Sequence, residues 1–244
     1  MGILTNRRVD RPTPDPPARL GEHEGLAYAL WLPERDPQGG VVVIHGADSG
    51  KESHFDFARA ARAAGLAAVT YDQRGHGDSA GAWDGGVIED VAAMAGLLPP
   101  GPVALRGSSL GGYVALLAAG RIDAAAVVAI CPAGAEHLLR GLRAGAFDFR
   151  VDRTAAEAFL AEHDLRLAVE QLSTPMLILH AEGDEQIPVA HSAELHAAAR
   201  MPVKRLLALP GGHHRSIQHD AELQGESLRF IAKAFAGMAP RRPA

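Results

Sequence analysis

Ser109 lies in the run Gly107-Ser108-Ser109-Leu110-Gly111, with a glycine two residues before it and another two residues after it. A serine hydroxyl becomes a useful nucleophile when a nearby base takes its proton. A serine at the apex of a sharp strand-to-helix turn holds that hydroxyl out above a sheet. Such an apex leaves almost no room for side chains on either flank, and Gly107 and Gly111 meet that demand. Ser108 lacks the same setting, because the residue two before it is Arg106. The pentapeptide alone also fits an ordinary Gly-Ser-rich turn, so the rest of the chain has to supply a base and a carboxylate.

Two loops downstream offer them. After the apolar run "PMLILH" comes "AEGDEQIP", with Glu182, Asp184 and Glu185; after "VKRLLALP" comes "GGHHRS", with His213 and His214. In an open parallel sheet ligands bind at the carboxyl ends of strands, so acid and base are expected in loops that follow strands directly. Serine, acid and histidine then occur in the chain order of α/β-hydrolases. The chemistry implied is acyl transfer, with the N–H of the residue after the nucleophile, Leu110, as one donor to the oxyanion.

The elements that must position these residues are legible as alternating apolar runs and helical patterns. Strand-like runs are Gly25 to Leu32, Gly40 to Gly46, Leu66 to Asp72, Pro102 to Gly107, Ala125 to Cys131, Pro175 to Ala181 and Val203 to Pro210. Stretches such as "FDFARAARAAG", "VIEDVAAMAGLL" and "SAELHAAAR" have helical spacing between them. Near-continuous apolar strands separated by helices predict an α/β fold with a mostly parallel, doubly wound sheet covered on both faces. Residues 1–20 read as an irregular N-terminal segment, 21–236 as the domain and 237–244 as a tail. Within the domain, residues 133–173 are either a long crossover or a small helical cap; connections in compact α/β units are shorter, which favours the cap.

A length of 244 residues fits one domain, and the formal charge of −5 with interspersed signs gives no basic stripe for nucleic acid. The single cysteine, Cys131, excludes an intrachain disulfide. No secretory leader or membrane-length apolar run is visible, so the expectation is a cytoplasmic protein with a small-molecule substrate and neither nucleic-acid nor membrane partners. None of the twelve histidines forms H-E-x-x-H, and neither a P-loop nor G-x-G-x-x-G after a first strand is present. No metal and no cofactor is expected. His137, His163 and His196 fit solvated helix faces.

The pieces "VVVIHGADSG", "YDQRGHGDSAG", "RGSSLGG", "HAEGDEQIP" and "GGHHRS" together resemble the α/β-hydrolase superfamily, in particular its small bacterial serine esterase and dienelactone-hydrolase-like members, over Gly21 to Phe235. The resemblance implies an α/β-hydrolase fold and a carboxylesterase-like serine hydrolase acting on esters or thioesters through an acyl-enzyme on Ser109. It selects Asp184 as the acid, because the residues after Gly183 match the family's Asp-x-x-Val/Ile-Pro loop, and His214 rather than His213 as the base. It places the second oxyanion donor at the Ala47 N–H. Asp72, Arg74 and His76 fall in a loop that supports the site in that family. Dienelactone hydrolases carry cysteine at the elbow, where this chain has serine. An acyltransferase or a serine peptidase-like enzyme would use the same residues, and a non-catalytic binding module would keep only the fold.

Overall fold

The computed structural model describes residues 15–238. One eight-stranded sheet runs through it, formed by β1 (Arg19–His23), β2 (Leu26–Trp31), β3 (Gly40–Ile44), β4 (Ala67–Tyr71), β5 (Val103–Ser108), β6 (Ala126–Ile130), β7 (Met176–Ala181) and β8 (Lys204–Leu209). The order across the sheet is β1-β2-β4-β3-β5-β6-β7-β8. β2 pairs antiparallel with both β1 and β4, and every other pairing is parallel. The helices are α1 (Phe55–Ala63), α2 (Val87–Gly96), α3 (Leu110–Arg121), α4 (Ala135–Ala144), α5 (Arg153–Glu162), α6 (Leu165–Gln171), α7 (Val189–Ala198) and α8 (Ala221–Met238).

The central strands β2, β3, β4, β6 and β7 are buried along their whole length, which is why they read as unbroken apolar runs rather than alternating ones. One face of the sheet packs Val42, Ile44, Leu105 and Ile178 under α2, α3, α6 and α7; the other packs Val41, Val43, Leu177 and Leu179 against Phe57 of α1 and Ile231 of α8. α3 is buried on most of its surface. Its Ala and Gly content lets it lie deep against the sheet directly behind Ser109.

Two boundaries differ from the sequence expectation. Arg19 and Leu20 belong to β1 rather than to an irregular segment, because backbone pairing with β2 holds an otherwise exposed strand in place. α8 (Ala221–Met238) runs two residues beyond the expected domain end. Residues 1–14 of the expected N-terminal segment and the final six residues lie outside the described residues. Between β6 and β7 the chain forms α4, α5 and α6, and α4 lies along one wall of a cleft at the carboxyl edge of the sheet.

That cleft has a topological origin. From β3 the chain steps outward to β4, then crosses back to place β5 on the other side of β3, so the winding direction reverses between β3 and β5. A crevice opens outside the strand ends at such a reversal. The residues following β3, β5, β7 and β8 include Ala47, Ser109, Asp184 and His214.

Candidate active site

Ser109 links β5 to α3 with φ 53° and ψ −116°, a conformation rarely adopted by residues with a side chain. Backbone strain of this kind costs about 1–3 kcal/mol and persists where the surroundings enforce it. Here the Ser109 N–H donates to the Ile130 carbonyl at 2.9 Å, while its own carbonyl accepts from Tyr113 and Ala133. Ser109 is half-buried, whereas Ser108, which also lines the cleft, is 5% exposed.

The flanking glycines are where the turn is tightest. A Cβ on Gly107 would fall 2.0 Å from the Gly111 carbonyl oxygen, and one on Gly111 would fall 2.2 Å from Ile44 O and 2.5 Å from His45 O. These are backbone atoms that cannot swing away. Gly107→Ala and Gly111→Ala are therefore each expected to cost several kcal/mol through overpacking of a fixed backbone. Expression yield and thermal melting check this, and wild-type melting with wild-type turnover in either variant would contradict it.

The Asp184 side chain is fully buried and every oxygen is used. Oδ1 accepts the N–H groups of Gln186 and Ile187, both at 2.9 Å, and Oδ2 accepts from His214 Nδ1 at 2.7 Å. Burial alone would raise this carboxyl's pKa, but the His214 bond and the two amides outweigh it and bring it down to about 2. The acid therefore stays ionised across any working pH. Glu185, by contrast, is exposed and accepts the His214 N–H at 3.3 Å; Glu182 is also exposed.

The acid and histidine loops are bound to each other. Glu182 N–H donates to Leu209 O and Gly183 N–H to Gly211 O, both at 2.9 Å, continuing the β7–β8 pairing past the strand ends. A Cβ on Gly183 would meet Gly212 O at 2.3 Å, so glycine is required for this approach. His214 is 7% exposed, whereas its neighbour His213 is exposed and turns its ring toward the Arg215 N–H. His214 and Ser109 line the same cleft of about 660 Å³. No hydrogen bond joins them, and such bonds often close only once substrate is bound.

On the opposite wall, Gln73 N–H donates to His45 Nε2 at 3.0 Å, so the ring proton lies on Nδ1 and donates to Gly46 O at 2.7 Å. Burial, with help from His76, pulls the His45 pKa down to about 4, which keeps this neutral tautomer. In a trans peptide the N–H points opposite to the carbonyl, so the Ala47 N–H faces away from His45. Neither the Ala47 N–H nor the Leu110 N–H has an acceptor among the described residues. Below this loop, Lys51 Nζ bridges Asp72 and Asp78, and Arg74 bridges Asp84 and Asp90. Asp72 and Arg74 thus brace the loop from outside the cleft, and His76 stacks on Phe149.

Three features escape the sequence reading. His180, at the end of β7, donates from Nε2 to Ile187 O at 2.9 Å, lies 3.5 Å from Asp184 Oδ2 and is bonded through Nδ1 to Ser192. Its signal was a histidine closing an apolar run. Cys131 is buried with φ 41°, its sulfur within 4.8 Å of ligand-type atoms of Asp184 and His214, and burial pushes its thiol pKa up. His137, expected on a solvated face, lines the cleft, and His163 packs on Phe159, because α4 and α5 fold over the sheet. A second group of metal-ligand type, Glu136, His137 and His191, has its His137 Nδ1 already accepting the Gly134 N–H.

Comparison with known proteins agrees with this architecture. The family model of the alpha/beta hydrolase family matches residues 41–168. A monoacylglycerol lipase of Mycolicibacterium smegmatis is 32% identical over 98 residues, a match that spans 36% of this chain and 35% of that protein. The structure of Est1E from Butyrivibrio proteoclasticus with ferulic acid bound superposes with a TM-score of 0.72 at 20% identity, covering 90% of this chain and all of that one. The monoacylglycerol lipase of Paleococcus ferrophilus gives 0.67 at 19%, covering 86% and 98%. These comparisons bear on the superfamily and not on its dienelactone-hydrolase-like subset. No described helix is long and apolar enough to cross a membrane.

Proposed function

Starting from the premise that the chain belongs to the alpha/beta hydrolase family, we propose that it hydrolyses carboxylic esters or thioesters through an acyl-enzyme on Ser109. The observation that carries this reading is the 2.7 Å bond from His214 to the buried Asp184, placed on the cleft that also holds Ser109 at its strained elbow.

In the first half-reaction Ser109 Oγ attacks the acyl carbon while His214 Nε2 takes the hydroxyl proton. Asp184 holds the ring through Nδ1 and stabilises its positive charge. The carbonyl oxygen becomes an oxyanion, received by the Ala47 and Leu110 amides; one such donor is worth roughly 10²–10³ in rate. When the acyl–oxygen or acyl–sulfur bond breaks, His214 returns the proton to the leaving alcohol or thiol. Water then repeats the sequence, losing a proton to His214 and releasing the carboxylic acid and free Ser109.

A fluorophosphonate reagent tests this directly, since only an activated serine attacks it. One adduct per chain, mapped by peptide mass to Ser109 and missing in Ser109→Ala, is the expected result. A folded protein that takes up no label, or takes it up elsewhere, would refute the proposal.

A further inference from the structure

Building on the reading of Ser109 as the acyl acceptor, we infer that the substrate carries a carboxylate, held by Arg140 and Arg215. Both residues line the cleft, Arg140 from α4 and Arg215 from the position after His214. Neither has a carboxylate partner among the described residues. Other arginines with a nearby acid use it: Arg74 takes Asp84 and Asp90, Arg121 takes Glu89, and Arg205 takes Glu226.

The absence of a partner for Arg140 has a local cause. Glu136, one helical turn earlier, is the acid expected to pair with it. Its carboxylate turns instead over the start of α4, reaching 2.9 Å from His137 Nδ1 and 3.6 Å from His191 Nδ1. Arg215 makes one side-chain hydrogen bond, a long 3.4 Å contact to the Ala47 carbonyl beside the proposed oxyanion donor. Each guanidinium has five N–H donors in a planar fork that fits a carboxylate, and most of this donor capacity is unspent among the described residues.

The acids on the same cleft are committed elsewhere. Glu185 accepts the His214 N–H, and Asp48 Oδ1 accepts the Asp148 N–H at 2.6 Å, which fastens the loop after β3 to the segment after α4. Both acids keep their charge, and neither forms an ion pair with Arg140 or Arg215 among the described residues. Leu138, Phe147 and Ile187 line the same cleft and supply apolar surface suited to a short carbon chain. A cleft of about 660 Å³ is ample for a small ester ending in such a charge.

Two matched pairs of esters test the inference and locate the charge. 4-Nitrophenyl butyrate against mono-4-nitrophenyl glutarate puts the carboxylate on the acyl side; phenyl butyrate against 4-carboxyphenyl butyrate puts it on the leaving group. In one pair the charged ester should show about tenfold higher kcat/KM, the scale of one charge-assisted hydrogen-bonded pair, and the preference should shrink as salt is added. Arg140→Met and Arg215→Met should each reduce that preference several-fold through KM, and Arg140→Glu should reverse it. Both arginines are exposed, so the variants are expected to fold. Equal or slower hydrolysis of the charged ester in both pairs, in protein whose Ser109 still takes the fluorophosphonate, would overturn the carboxylate inference and leave the hydrolase reading standing. Loss of labelling would instead strike the hydrolase reading itself.

Discussion

Ser109→Ala is expected to lower kcat for an ester by at least about 10⁴-fold and to abolish the burst of released alcohol that marks an accumulating acyl-enzyme, as expected for loss of a nucleophile whose partners act as a unit. The fold should persist, because among the described residues the Ser109 hydroxyl makes no hydrogen bond and only the backbone is tied into the elbow. Ser109→Gly sharpens the result. At φ 53° and ψ −116° any Cβ is strained, and glycine releases that strain. The glycine variant should therefore be as inactive as the alanine variant and melt no lower, a case in which stability is held back by the requirement for a side chain at a strained position. Ser108→Ala is the control, since that side chain is buried beside the elbow and should retain most of the rate. Pre-steady-state kinetics and thermal melting on the three variants give the comparison. If Ser108→Ala is the inactive one, the elbow has been assigned to the wrong serine.

The parts of this site that were legible in sequence are those fixed by local backbone demands. Gly107 and Gly111 announce the elbow because close carbonyls exclude any Cβ there, and Gly183 precedes Asp184 because the histidine loop passes against it. The buried strands were legible because both faces are covered and the run of apolar residues has no gap. β1 was not, since Arg-Leu-Gly-Glu-His has four exposed residues and is held as a strand by pairing with β2 rather than by burial. His180 illustrates a different gap. Its significance depends on the Ile187 carbonyl, the Ser192 hydroxyl and Asp184, which converge on one ring only after the loop folds back onto β7. The cleft wall was legible as a helical cap but not in its facing: which face of α4 turns inward is set by packing over the sheet, and that brought His137 inside and left Arg140 without Glu136.

The adjacent histidines supply the second large effect. His214 is nearly buried, and its Nδ1 donates to Asp184, which fixes the ring and leaves Nε2 as the acceptor of a serine proton. His213 lies exposed, its backbone N–H donating to Ser216 Oγ and its ring nitrogen engaged with the next turn of the loop. His214→Ala is accordingly expected to cost about 10⁴-fold in kcat/KM, comparable with loss of a triad member, while His213→Ala should stay within a few-fold of wild type. The pH profile separates a base from a residue that only shapes the loop. With Asp184 held at about 2, its protonation lies far below the range in which esterase rates are measured. The acid limb of the profile is then assigned to the base, because an imidazolium cannot accept the Ser109 proton. Wild type and His213→Ala should share that acid limb, and His214→Ala should lack it, its residual rate rising only with hydroxide. A His213→Ala variant that is inactive, beside a His214→Ala variant that keeps the acid limb, would transfer the role of base to His213 and leave the Asp184 bond a structural one.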